Sequence, residues 1–218
     1  MAIINGLTTL AAVKLELGIT DTSQDSLLEA LINSASAAII QFVDRDIKRT
    51  EYADQLYAVN AHQYLYLIQY PVQAVASVTL GGAAQTVNVD YFIDASPGRL
   101  YRPNGWVGSY YARGTFPDAF AGARDILVTY TAGWYLPADL GYVAGAADSL
   151  PGALLAACTR AVTTRYNQIQ NHADGVKQYS EGGISTTWFG PDSVTAGNGG
   201  FDSVVAAMLN PFKRREAV

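Results

Sequence analysis

Cysteine, histidine and charge are all scarce in this chain of 218 residues. It has one cysteine, Cys158, and two histidines, His62 and His172. A single thiol excludes an intrachain disulfide framework, and so few soft ligands exclude a zinc cluster. Cys158 lies in a helical pattern and reads as a small buried apolar residue, which fits a reducing, intracellular origin. Charged residues are only 15% of the chain, below the usual quarter. The net charge of -5 argues against a protein that grips nucleic acid by neutralising phosphates, because such domains are basic. A surface past which DNA slides stays compatible with it, since a negative wall repels the backbone. No uninterrupted apolar run approaches the ~20 residues of a membrane span. The opening MAIINGLTTL lacks a basic region followed by a long apolar run, so no secretory signal is expected.

What is present is apolar and aromatic. Hydrophobic residues make up 50% of the chain, enough for a real core, either as one domain or as a core with an inserted module. Tyr reaches 14 and Gly 20. Low charge with many Tyr and Gly suits a surface contacted by other proteins. The same composition suits a β-rich domain with Gly turns.

The chain divides into stretches of different pattern. Residues 1–49 read as two helices. Thr8 or Thr9 can cap a short helix through Leu10, Val13, Leu15 and Leu17, with Gly18 ending it. A longer amphipathic helix over 23–46 follows, with Leu27, Leu28, Leu31, Ile32, Ala35, Ile39, Phe42 and Val43 at helical spacing. Thr22 and Asp25 resemble a capping box, with Asp in place of the usual Glu or Gln. Residues 50–135 read as an inserted antiparallel β module. Gly81-Gly82 has the form of a two-residue hairpin turn, Pro97-Gly98 that of a second turn, and the clearest strand is centred on Ile126 to Tyr130. Within it, residues 102–123 form a long Gly- and aromatic-rich loop, crowded by Trp106, Tyr110, Tyr111, Phe116 and Phe120. Residues 136–175 read as the third core helix, over 151–171. Ser149 is its expected cap, Pro151 lies in its first turn, Leu154, Leu155, Cys158, Val162, Tyr166 and Ile169 make one face, and Gly175 is the stop. Residues 176–218 read as an extended arm. The expected fold is therefore α+β: a small helical bundle of two N-terminal helices and one long C-terminal helix, interrupted by the β module.

No catalytic constellation emerges, and the chain is not expected to be an enzyme. His172 with Asp174 offers two metal ligands without a third. GGISTTWFG approaches the nucleophile-elbow pattern, but Thr187 stands where the second glycine belongs. Neither phosphate-binding glycine signature occurs. Asp90, Asp94 and Asp125 lie in the β module with nothing in the sequence to pair them. No cofactor or metal is expected. The basic run Lys213-Arg214-Arg215 reads as a solvated tail or as a match for an acidic partner. Arg45, Lys48 and Arg49 read as charges favoured at a helix C-terminus. Aromatics in Gly-rich loops and tails, such as Trp188, Phe189 and Phe212, point to an interface.

Four stretches in order then resemble a known family. They are LTTLAAVKLELGITDTSQDSLLEALINSASAAIIQFVDRDI, LYLIQYPVQAVASVTLGG, ILVTYTAGW leading to LPGALLAACTRAVTTRYN, and VKQYSEGGISTTW with LNPFKRR. Together the chain resembles the head–tail connector (adaptor) proteins of tailed bacteriophages, the group like the HK97 connector. The resemblance departs at Gly182-Gly183, where Gly-Asp is common, and at the long loop. It implies a structural virion protein at the head–tail junction, made in the host cytoplasm. It implies a ring of about twelve copies on the portal that extends the DNA channel, without sequence-specific DNA binding, and offers a platform to the tail, the stopper or the tail-completion protein. In that picture Ile184, Thr186, Trp188 and Phe189 add a strand to a partner sheet. Pro211, Phe212, Lys213, Arg214 and Arg215 anchor the end. Two other readings remain open: another neck protein, such as a tail-completion or stopper protein, or a carbohydrate-binding module using loop 101–120.

Overall fold

The structure is a computed structural model that describes residues 3, 5–58, 62–106, 125–170, 178–181, 184–187 and 200–214. In chain order its elements are α1 (Leu10–Leu17), α2 (Asp25–Val43), β1 (Thr50–Ala58), β2 (Tyr64–Tyr66), β3 (Val72–Leu80), β4 (Ala83–Ala84), β5 (Phe92–Asp94), β6 (Arg99–Tyr101), β7 (Asp125–Ala132), α3 (Gly152–Gln170), β8 (Gln178–Glu181), β9 (Ile184–Thr187) and α4 (Ser203–Leu209), with a 3-10 turn at Asn210–Phe212. The class is α+β, with helices and antiparallel sheets. Two compact units form: Met1–Arg45 with Tyr135–Glu216, and, apart from two terminal residues, Asp46–Trp134.

The first unit is helical. Thr9 caps α1 by accepting from the Ala12 N–H, and Gly18, at φ 70°, ends it. This left-handed C-cap is open to glycine at little cost. α2 buries Leu28, Ile32, Ser36, Ile39 and Val43. It is long and apolar enough to cross a membrane by composition alone, yet these residues pack inside the unit, against α1 and α3. The expected capping box does not form. Gln24 is the N-cap, without a side-chain bond, and Thr22 contributes its backbone carbonyl to the Asp25 N–H. A lysine takes over the first turn instead, with Lys14 Nζ 2.6 Å from Asp25 Oδ1. α3 turns Leu154, Ala157, Cys158, Thr159, Val162 and Thr163 inward. Its buried face thus includes two threonines that an apolar pattern misses. The Thr8 and Thr159 hydroxyls share a 2.7 Å hydrogen bond, and Ser36 Oγ accepts from the Leu7 N–H. These bonds satisfy polar groups that burial would otherwise leave costly. Ser149, the expected cap of α3, instead accepts from the Val143 N–H, while the Pro151 carbonyl receives the first helical N–H groups.

The second unit holds two sheets. The four-stranded sheet runs β1-β7-β3-β4 and the three-stranded one β2-β6-β5, all antiparallel. β7 is central, and Ile126, Val128, Tyr130 and Ala132 alternate into the core. Gly81 and Gly82, at φ 57° and 82°, make the two-residue turn between β3 and β4. Gly98 turns β5 into β6. At the end of β7, Gly133 has φ 93°, and an added Cβ would lie 2.6 Å from the Lys48 carbonyl oxygen. Only glycine allows this close approach of two backbones. Trp106, expected among the loop aromatics, is fully buried and donates its indole N–H to the Leu100 carbonyl at 3.3 Å.

The stretch expected to be an extended arm is partly regular. β8 and β9 pair as a hairpin, Gln178 opposite Thr187 through Glu181 opposite Ile184. Residues 203–209 then form α4, which packs on α3 and on α2. Phe201, Val205, Ala206 and Leu209 are buried there. Seven residues are too few for a helix to hold in water alone. Burial of Phe201, Val205 and Leu209 supplies what propensity does not, at about 1.5–3 kcal/mol each.

Candidate docking surfaces

Two groups of residues could meet a partner, one on each unit. The first is the C-terminal segment and its seat. Asp202 caps α4 by accepting from the Val205 N–H at 2.8 Å, and its other oxygen lies 3.4 Å from Arg160 Nε on α3. Phe201 meets Phe42 edge to face, with ring centroids 5.7 Å apart. Lys213 Nζ sits 3.9 Å from the centroid of the same Phe42 ring, a cation–π contact.

Beyond α4 the chain reaches the end of α2. Asp44 stands there in the left-handed conformation, φ 52°. Arg214 donates its backbone N–H to the Val43 carbonyl at 2.8 Å, satisfying one of the free carbonyls of the last helical turn. The Arg214 guanidinium lies 3.8 Å from Asp44 Oδ2. Arg45 donates from Nε to the Phe212 carbonyl at 2.7 Å. Arg45 is only 6% exposed. Read from sequence as a charge near the end of a helix, it is instead the buried socket of the C-terminal segment. No local signal in the sequence marks it, because its partner lies 167 residues away.

The residues expected to form an interface therefore fall into two places. Pro211, Phe212, Lys213 and Arg214 belong to the seated C-terminal segment. Ile184 and Thr186 lie on β9, opposite Glu181 and Tyr179. Trp188, Phe189 and Arg215, as well as His172, Asp174, Gly175 and most of the loop 102–123, lie outside the described residues.

The second surface is on the three-stranded sheet. Leu65 and Leu100 turn into the core, so their neighbours turn out. Tyr64, Tyr101 and Phe92 lie in one cross-strand row. Tyr64 and Tyr101 have centroids 5.1 Å apart, and Tyr101 and Phe92 6.3 Å. The next row is Tyr66, Arg99 and Asp94. Arg99 pairs with Asp94 at 2.8 Å and lies over the Tyr64 ring at 4.9 Å. The Asp94 carboxylate and then the Tyr66 hydroxyl push the Arg99 pKa up. Tyr64, Tyr66 and Phe92 are exposed. The sequence reading did not single out these sheet aromatics, which period-2 alternation could have revealed.

Among the described residues no group of three or more His, Cys, Asp or Glu could hold a metal ion. The buried polar pair of the second unit is structural. The Tyr57 and Tyr130 hydroxyls lie 3.1 Å apart and accept the Ile68 and Gln69 N–H groups. Burial, then the bond to Tyr130, pushes the Tyr57 pKa well up, so it stays a neutral phenol.

A family model for head completion proteins matches residues 6–144. The chain belongs to the head completion protein family. That is a structural family, and its tie to the head of a phage-type particle agrees with the connector resemblance read from the sequence. No curated protein matches the chain. Solved structures to which this chain is similar include the neck of an empty GTA particle computed with C6 symmetry, at 14% identity over 100% of this chain and 95% of that one, with a TM-score of 0.47. The neck of a native GTA particle computed with C12 symmetry is also 14% identical, over 100% and 94%, with a TM-score of 0.47. The virion of a native gene transfer agent (GTA) particle is 12% identical, over 100% and 95%, with a TM-score of 0.48.

Proposed function

We propose that this head completion protein is the head–tail connector of its particle. It assembles as a ring on the portal, extends the DNA channel and presents a platform to the tail, the stopper or the tail-completion protein. The observation that carries the reading is the family match over 6–144, which takes in α1, α2 and the whole β unit. The physics is consistent. A net charge of -5 suits a conduit that does not retain DNA. In this reading the β8–β9 hairpin offers strand edges to the portal. An isolated two-stranded hairpin is marginal in water, so a partner sheet would stabilise it.

Mass measurement of the protein alone and mixed with portal tests the reading. The expected result is a ring that forms or is captured in the presence of portal. Attachment to the tail tube without portal would favour a stopper or tail-completion protein instead. Deleting 178–187 should abolish portal attachment while leaving both units folded, and unchanged attachment would remove the hairpin from the mechanism.

A second reading, carbohydrate binding, has one observation in its favour, the row in which exposed Tyr64 and Phe92 flank half-buried Tyr101. Rings of this kind can stack on sugar faces. Calorimetry of the intact protein with soluble oligosaccharides tests it, and no heat above dilution discards it.

A further inference from the structure

The seat of the C-terminal segment has the features of a peptide-binding site. It takes a short helix and the five residues after it through defined contacts. Leu209 and Val205 fill the apolar floor, and the Phe42 ring is held between Phe201 and Lys213. Arg160 holds Asp202 at one end, while Arg45 and the Val43 carbonyl hold Phe212 and Arg214 at the other. None of these contacts depends on how the segment is joined to the rest of the chain.

The join is long. Residues 171–202 separate the end of α3 from the start of α4. Within that stretch the described strands β8 and β9 pair with each other as a two-stranded sheet. Discounting the hairpin, about 20 connecting residues remain, and at ~3.3 Å each they can span on the order of 60 Å. That exceeds the diameter of a small domain, roughly 30 Å. A segment with a specific seat and a long tether can occupy the same seat on a neighbour. Tethered neighbours in an assembly supply it at an effective concentration in the millimolar range.

We propose that the seat formed by α2 and α3 is an exchangeable docking site. In the assembled state it takes residues 200–214 of a second copy of this chain. The exchange rests on the assembly reading given above, but the docking site itself does not. It links subunits by swapping an identical element, which adds connections around a ring without any contact the monomer lacks. It also means that the basic C-terminus is already engaged by this protein's own fold, and reaches another partner only when it leaves its seat.

A zero-length crosslink tests this. The substitution Arg160→Lys places an amine beside Asp202, and carbodiimide joins the two as an amide. Chains labelled with light and heavy nitrogen are mixed as monomers, assembled with portal and crosslinked, and the joined α3–α4 peptides are weighed. With full exchange about half of the links in the assembled fraction carry both isotopes, while the monomer fraction carries none. Assembly with only same-isotope links overturns the proposal. Should no assembly form, the connector reading fails, and a second arm decides for the docking site. The full-length variant is incubated with ~1 mM heavy peptide of residues 200–214 and crosslinked. A heavy-peptide adduct on α3 supports an exchangeable seat, and its absence overturns it.

Discussion

The Arg45 guanidinium donates from Nε to the backbone carbonyl of Phe212 at 2.7 Å, joining the end of α2 to the C-terminal segment. A charged donor on a partly buried carbonyl is among the stronger hydrogen bonds, about 1.5–3 kcal/mol. Arg45→Met keeps the stem and removes the donor. It should lower stability by that amount in urea unfolding and raise hydrogen exchange at the Arg214 amide, whose acceptor is the adjacent Val43 carbonyl. Unchanged exchange at Arg214 would show that the contact does not hold the segment.

Two glycines with positive φ should respond differently to alanine. At Gly18, φ 70°, an added Cβ meets nothing within 4 Å, so Gly18→Ala should cost only the left-handed backbone term of about 1–2 kcal/mol. At Gly133, φ 93°, it meets the Lys48 and Ile47 carbonyl oxygens at 2.6 and 2.8 Å. Gly133→Ala should therefore cost clearly more than Gly18→Ala, and thermal melts of the two variants side by side make the comparison.

Trp106 and Tyr64 both belong to the aromatic-rich second unit, but only Trp106 is buried. Trp106→Ala should destabilise by about 3–5 kcal/mol. Tyr64→Ala, on the outer sheet face, should stay within about 1 kcal/mol, since it loses ring contacts with Tyr101 and Arg99 but opens no cavity. Denaturant midpoints of the two variants check this.

Burial pushes the Cys158 thiol up to about 11, only partly offset by its hydrogen bond with Ser36. The native thiol should resist alkylation at pH 8 and react on unfolding. The pH effect has a definite sign. Above the ordinary value of 9.0 the unfolded chain loses this proton while the folded one keeps it. Stability from this group is thus full below pH 9 and falls as pH rises towards 11, by on the order of 2–3 kcal/mol. Cys158→Ala should flatten that part of the stability profile relative to wild type.

Much of the fold was legible locally. Thr9 and Gly18 bound α1 as their chemistry dictates, and Gly81-Gly82 makes the β3–β4 turn. The alternation about Ile126 to Tyr130 marks β7. The failures share a cause. The capping box at Thr22 and the Ser149 cap had suitable residues, but Lys14 engages Asp25, and Val143 takes the Ser149 hydroxyl. Side chains that can cap a helix also bind whichever neighbour tertiary packing brings closer.

The candidate surfaces were less legible. The sequence marks Phe212 to Arg214 for an interface, and the structure seats them on this chain's own Phe42, Val43, Asp44 and Arg45, a helix end whose charges have an ordinary explanation in the sequence. The outward row Tyr64, Tyr101 and Phe92 joins three strands, and only the order β2-β6-β5 makes it one surface.

By itself, then, the sequence determined what short-range sterics and hydrogen bonding control: the two ends of α1, the glycine turns, the alternation of β7 and the α+β class. Tertiary structure alone decided the order β1-β7-β3-β4, the burial of Trp106, and the folding of Ser203–Leu209 as a helix. The physical reason is that a seven-residue helix and a buried arginine are unfavourable in isolation. They become stable only where residues far apart in the chain supply the apolar seat and the carbonyl that each requires.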